Sequence, residues 1–273
     1  MIASCGLELA GATDPGCVRP NNEDCFAIDE KLGLFVVADG MGGHNSGEVA
    51  SELATSTIKD FAGKMLGGDK ELVPEGGTAG LSVRGRQLEY FIKTANTMIF
   101  EKGRAIRKDA GMGTTVVAVI ADARSMTVAH VGDSRLYMYR GGQLNQLTED
   151  HSLVGDQVKR GLISSDEASR SNLQNILTRA LGAEAEVAVD VADHPLLPGD
   201  ILLVASDGLT KMVTEEEIAR MIGEEKDLSA LLKRLIDQAR TAGGSDNITV
   251  VLARVPAGGA QSPLKGFMSK LFG

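Results

Sequence analysis

Six carboxylates sit where apolar strand patterns begin or end. In "VVADGMGGH", Asp39 closes the run Phe35 to Ala38, and glycines crowd the positions beyond it. Asp133 in "TVAHVGDSR" and Asp207 in "ILLVASDG" close two more runs. Glu23 and Asp24 in "RPNNEDCFAI" and Asp246 in "GGSDNITVVLA" stand just before others. One Asp-Gly alone is a turn. As a set drawn together, these groups repel, and their pKa values shift by whole units unless cations neutralise them. With no His or Cys among them the ligands are hard oxygens, which favours Mg²⁺, Mn²⁺ or Ca²⁺ over zinc or copper. Gly40 would then turn its carbonyl towards a metal, and Gly42 and Gly43 would leave room for ions, water and substrate.

The elements around these residues make such a meeting feasible. Short β-rich runs cover Cys25 to Ile28, Leu34 to Ala38, Thr114 to Ile120, Met126 to Val131, Leu136 to Tyr139, Ile201 to Ala205 and Ile248 to Ala253. If the first two pair antiparallel, Glu23 and Asp24 land beside Asp39 and Gly40. The same pairing between the runs at 201–205 and 248–253 brings Asp207 to Asp246. Helical spacing covers about Ser46 to Met65 and about Gln87 to Lys102. Thr214 with Glu217 predicts a capping box, and Asp227 predicts the cap of a helix that Gly243-Gly244 stops. The polar stretch His151 to Asn175 predicts surface helices. Helices in pairs and strands in hairpin-like groups predict an α+β fold of antiparallel sheets with helices layered outside them.

Composition narrows the function further. The chain has 273 residues, 43% hydrophobic, without Trp. That length fits one large domain with an aliphatic core. A net charge of −9 argues against nucleic-acid or anionic-membrane partners. No apolar run approaches the roughly 20 residues that span a bilayer, and no basic-then-apolar order predicts a secretion signal. Cys5, Cys17 and Cys25 form no C-x-x-C pair, so the expectation is reduced thiols in a cytoplasmic protein. "GGHNSGEV" has P-loop glycine spacing, but Glu48-Val49 replace the required lysine and hydroxyl. "PAGGAQSP" reads as a linker, dividing a domain at 1–255 from a tail at 256–273 whose Leu264, Phe267, Met268, Leu271 and Phe272 share a helical face.

These motifs, in this order, resemble the metal-dependent serine/threonine protein phosphatases of the type 2C family, in their compact bacterial branch. The likeness runs from "GATDPGCVRPNNED" through "VVADGMGGH", "GMGTTVVAVI", "HVGDSRLY", "QLTEDHSLV", "NILTRALG" and "LVASDGLTKMV" to "GGSDNITVV". It implies a four-layer α-β-β-α sandwich of two packed antiparallel sheets flanked by helices. It also implies two Mn²⁺ or Mg²⁺ ions bridged by Asp39, with the Gly40 carbonyl on one and Asp207 and Asp246 completing the other. Glu23 and Asp24 would act in or beside that shell, partly through water. Asp133 would help bind a third, looser ion, and Arg19 would hold substrate phosphate. Such ions, about 3.5–4 Å apart, activate water for in-line attack on phosphorus without a phosphoenzyme.

One departure concerns the proton. Some family members carry His directly after the Asp-Gly; here Met41 stands there, and His44 reads as a supporting residue. Water near Asp133 is then the expected proton source. The implied partners are phosphorylated proteins, including a serine/threonine kinase or its targets, acted on by a monomer. A ligand-depleted binding module and a small-molecule phosphohydrolase are the competing readings, and every matched ligand is present.

Overall fold

Every second side chain of a strand points to the same face, and five of the strands among the described residues bury both faces along most of their length. The computed structural model describes residues 6–43, 46–66, 78–168 and 171–257. His44, Cys5 and the tail expected at 256–273, apart from its first two residues, lie outside them.

The strands are β1 (Glu8–Asp14), β2 (Asp24–Asp29), β3 (Leu34–Met41), β4 (Gly113–Thr114), β5 (Val116–Ala121), β6 (Ser125–Val131), β7 (Arg135–Arg140), β8 (Gln143–Gln146), β9 (Asp190–Pro195), β10 (Ile201–Ala205) and β11 (Ile248–Arg254). One sheet has the order β1-β11-β10-β7-β8; the other has β2-β3-β5-β6-β9, with β4 paired to β3. All pairings are antiparallel. The helices are α1 (Ser46–Leu66), α2 (Val83–Ala105), α3 (Leu153–Lys159), α4 (Ser165–Ala168), α5 (Asp207–Thr210), α6 (Glu215–Glu224) and α7 (Leu228–Thr241).

Three apolar layers separate these elements. Leu34, Val36 and Ala38 of β3 join Val116 and Ala118 of β5 against α1 and α2. Their alternates Phe35, Val37, Val117 and Val119 face Leu202, Val204, Val251 and Ala253 across the space between the sheets. Leu203, Val250 and Leu252 pack under α6 and α7, where Ile218, Leu231 and Leu235 are fully buried. The expected α-β-β-α sandwich is therefore the observed one. Burial on both faces explains the unbroken apolar runs, which an antiparallel sheet with one wet face would not show.

The helix caps follow the sequence reading. Thr214 and Glu217 form a reciprocal capping box, and the Asp227 side chain accepts from Ala230 N at 2.8 Å. Three edge elements were not anticipated: β1, β8 and β9. The run at 114–120 also divides, because Gly113–Thr114 pairs with Gly40 and Met41 while Val116–Ala121 pairs with the rest of β3 and with β6. As a result β3 continues through Asp39 to Met41, and Asp39 is inside the strand rather than at its tip.

Candidate metal centre

Register assembles the acidic residues. Asp24 and Asp39 are directly paired across β2 and β3, and Gly40 N donates to the Glu23 carbonyl at 3.1 Å. β10 lies antiparallel to β11, with Ala205 opposite Val250, so the residues following β10 and preceding β11 meet. Two hydroxyl groups tie the halves together. Ser206 Oγ accepts from Thr249 N at 3.0 Å and donates to Asp24 Oδ2 at 2.7 Å, linking one sheet to the other. Thr115 Oγ1 accepts from Asp39 N at 3.0 Å and pairs with Ser134 Oγ at 2.7 Å, joining Asp39 to the loop that carries Asp133.

Two glycines permit the approach. A Cβ on Gly40 would lie 2.1 Å from the Gly47 carbonyl oxygen and 2.5 Å from that of Glu23, so this position must be bare for α1 to start against β3. A Cβ on Gly208 would lie 1.9 Å from the Asn247 carbonyl oxygen. The first turn of α5, carrying Asp207, thus rests directly on the turn carrying Asp246. Asn247 braces that turn: its Oδ1 accepts from Glu23 N at 2.8 Å, and its Nδ2 donates to the carbonyls of Pro15 and Asn21.

The electrostatics show that the carboxylates share one field. Asp39 is held well above the usual carboxylate range, by burial first and then by the charges of Asp24, Asp207, Asp133 and Asp246. Burial pushes Asp24 up to about 7, with Asp207 and Asp246 adding to it. Asp133 is likewise pushed up to about 7 by burial and Asp207, and Lys211 opposes the rise. Burial also raises Glu23. Two internal cations answer this charge. Arg19 NH2 donates to Asp246 Oδ2 at 2.8 Å, and Lys211 Nζ forms an ion pair with Asp207 Oδ2.

The donor set fits hard divalent cations. Asp24 Oδ1 and Asp207 Oδ1 are buried and meet no hydrogen-bond donor, an arrangement that is costly unless a cation or ordered water satisfies them. Fully ionised, Glu23, Asp24, Asp39, Asp133, Asp207 and Asp246 carry six negative charges, and Arg19 with Lys211 returns two. Four remain, the charge of two divalent ions.

A tighter cluster lies nearby and is not a metal site. Among the described residues, His130, His151 and Asp190 are the set of ligand-type side chains whose ligand atoms all lie within 4.8 Å of one another; no three of the strand-end carboxylates are so close. His151 Nδ1 accepts from Gly132 N at 3.0 Å, so the ring proton is on Nε2, which donates to Asp190 Oδ2 at 3.2 Å. Coordination at that nitrogen would require a doubly deprotonated ring. The cluster instead clasps Gly132, next to Asp133: His151 N donates to the Gly132 carbonyl as well, and Arg179 fixes Asp190 at 2.6 Å.

Ser206, Thr115, Asn247, His151 and Lys211 have no assigned part in the site from the sequence. Each lies within or beside a quoted motif, and Lys211 stands four positions after Asp207, the spacing of neighbours on one helical face.

A two-sheet sandwich that gathers buried, cation-demanding carboxylates at one edge defines the class of metal-dependent phosphatases. Residues 19–253 match the family described as Protein phosphatase 2C, and the chain belongs to that family. It is 40% identical over 245 residues to the serine/threonine phosphatase stp of Listeria innocua, covering 88% of this chain and 92% of that one. It is also similar to the crystal structure of the Mycobacterium tuberculosis serine/threonine phosphatase PstP/Ppp, with TM-score 0.80, 33% identity, and 92% and 99% of the two chains covered. A structure of the catalytic domain of PstP in complex with 2 manganese ions matches with TM-score 0.76 and 32% identity, over 91% of this chain and 97% of that one.

Proposed function

We propose that this chain hydrolyses phosphoserine and phosphothreonine in proteins with two divalent cations, manganese or magnesium, held by Asp39, Asp207, Asp246, Asp24, Glu23 and the Gly40 carbonyl. The observation that carries the reading is the shared field around Asp39: four other carboxylates act on it, and two buried carboxylate oxygens nearby lack a donor. The two manganese ions of the PstP structure support the stoichiometry.

Bound cations of this kind supply water that ionises near neutral pH and positive charge for the phosphoryl oxygens. The protein contributes position. Arg19 is half exposed at the rim, with its side chain 51% accessible. Beyond the N–H on Asp246 its guanidinium has further donors, suited to two oxygens of a phosphate. Asp246 thereby sets the direction of Arg19. Asp133, clasped through Gly132 and Ser134, is the group we assign to proton delivery, through water at its carboxylate, to the departing seryl or threonyl oxygen. Met41 has no proton to give.

The reading includes phosphoprotein partners, a serine/threonine kinase in the same signalling route, a monomeric state and a cytoplasmic location. The unpaired thiols of Cys17 and Cys25 support the last, and no helix among the described residues is long and apolar enough to cross a membrane. The test compares manganese-dependent turnover of a phosphothreonine peptide with that of a small aryl phosphate. Saturable hydrolysis of the peptide at the higher kcat/KM is expected. Turnover of the small ester alone would make this a small-molecule phosphohydrolase, and no turnover with either would make it a binding module.

A further inference from the structure

Lys211 occupies a place in the acidic centre that chain geometry alone does not require. It is the residue that follows the single turn of α5, and its ammonium pairs with Asp207 Oδ2 while also donating to Asn175 Oδ1 at 2.6 Å. Only 27% of the side chain is accessible. A lysine whose function was solubility would extend into water, because its flexible stem loses side-chain entropy on being pinned. This one is held at both ends of its charge, by the centre on one side and by the 171–177 segment on the other. Its charge also acts on Asp133 and Asp39.

The charge count gives this placement a consequence. Two divalent ions balance the four charges that Arg19 and Lys211 leave; a third would leave an excess of positive charge beside a buried ammonium. We propose that Lys211 is the resident cation of the Asp133/Asp207 side of the centre, so that the chain holds two divalent ions and excludes a third. This rests on the two-cation reading above. It also departs from the third, looser ion that the family resemblance implies near Asp133. Like charges repel strongly in a partly dry site, so the ammonium and a further cation compete for the same carboxylates.

Calorimetric titration of the full chain with Mn²⁺, checked by equilibrium dialysis and metal analysis, tests this without measuring catalysis. The wild type should bind two ions. Lys211→Met, which keeps the stem and removes the charge, should bind one more, and Lys211→Arg should return to two. Asn175→Ala, which removes the other contact, should leave the number at two. Lys211→Gln is the substitute should the Met variant melt cooperatively at a much lower temperature. Two ions in both neutral variants, or three in the wild type, would overturn the assignment of Lys211. A wild type that binds none would instead overturn the two-cation reading.

Discussion

At the scale of single residues, Asp24 and Asp39 show how a protein masks a costly charge with a proton until its ligand arrives. Asp24 is buried and Asp39 half-buried, and Asp24 in the folded chain is pushed up to about 7, above the ordinary carboxylate value of 3.8. The folded state thus holds that proton more firmly than the unfolded chain. As pH rises from about 4 to about 7 the unfolded state ionises first, so the metal-free fold loses stability across that window, and the loss is complete above it. A divalent ion replaces the proton, and binding releases it. The gap in melting temperature between protein with Mn²⁺ and protein with chelator should therefore widen from pH 5 to pH 8. A gap that stays constant or narrows would contradict the protonated state assigned to Asp24. These carboxylates were legible in the sequence because each interrupts an apolar run. Lys211 was not: its partner is defined only once α5 is known to begin at Asp207.

At the scale of elements, the centre depends on close approaches between backbones. α5 rests on the 246–247 turn because Gly208 has no side chain, and a methyl group there would meet the Asn247 carbonyl at 1.9 Å. Gly208→Ala should force the two apart, costing about 1–3 kcal/mol by overpacking and weakening Mn²⁺ binding at least tenfold. Denaturant unfolding and calorimetry would measure the two effects; a variant with wild-type affinity would show that this contact does not set the Asp207–Asp246 geometry. The central strands were readable because both faces are apolar. β1 and β9 were not, for physical reasons. β1 is an edge strand of small and polar residues, and its Gly11 is bare to admit the ring of Phe26, which a Cβ would approach to 2.7 Å. β9, "DVADHP", spends its side chains on partners: Asp190 on His151 and Arg179, and Asp193 on Thr127 and Ser82.

At the scale of the molecule, the sandwich works as a frame whose two sheets each deliver half of one site. β2 and β3 bring Asp24 and Asp39; the ends of β10 and β11 bring Asp207 and Asp246; Ser206 joins the halves with a hydrogen bond to Asp24. Layers of aliphatic residues on either side hold the sheets in register, so the acidic edge keeps its shape against its own repulsion. Strand order and the identity of the clasp on Gly132 needed the coordinates, because both arise from contacts between distant segments. The layered fold and the acidic edge did not. Asp39 lies where the halves meet, and its replacement is the most direct test. Asp39→Asn keeps the size and the backbone hydrogen bonds but removes the charge. In chelator its melting temperature should equal or exceed that of the wild type, and with saturating Mn²⁺ on a phosphothreonine peptide it should lose at least a hundredfold in kcat. Hydrolysis at the wild-type rate would contradict a centre built on that carboxylate.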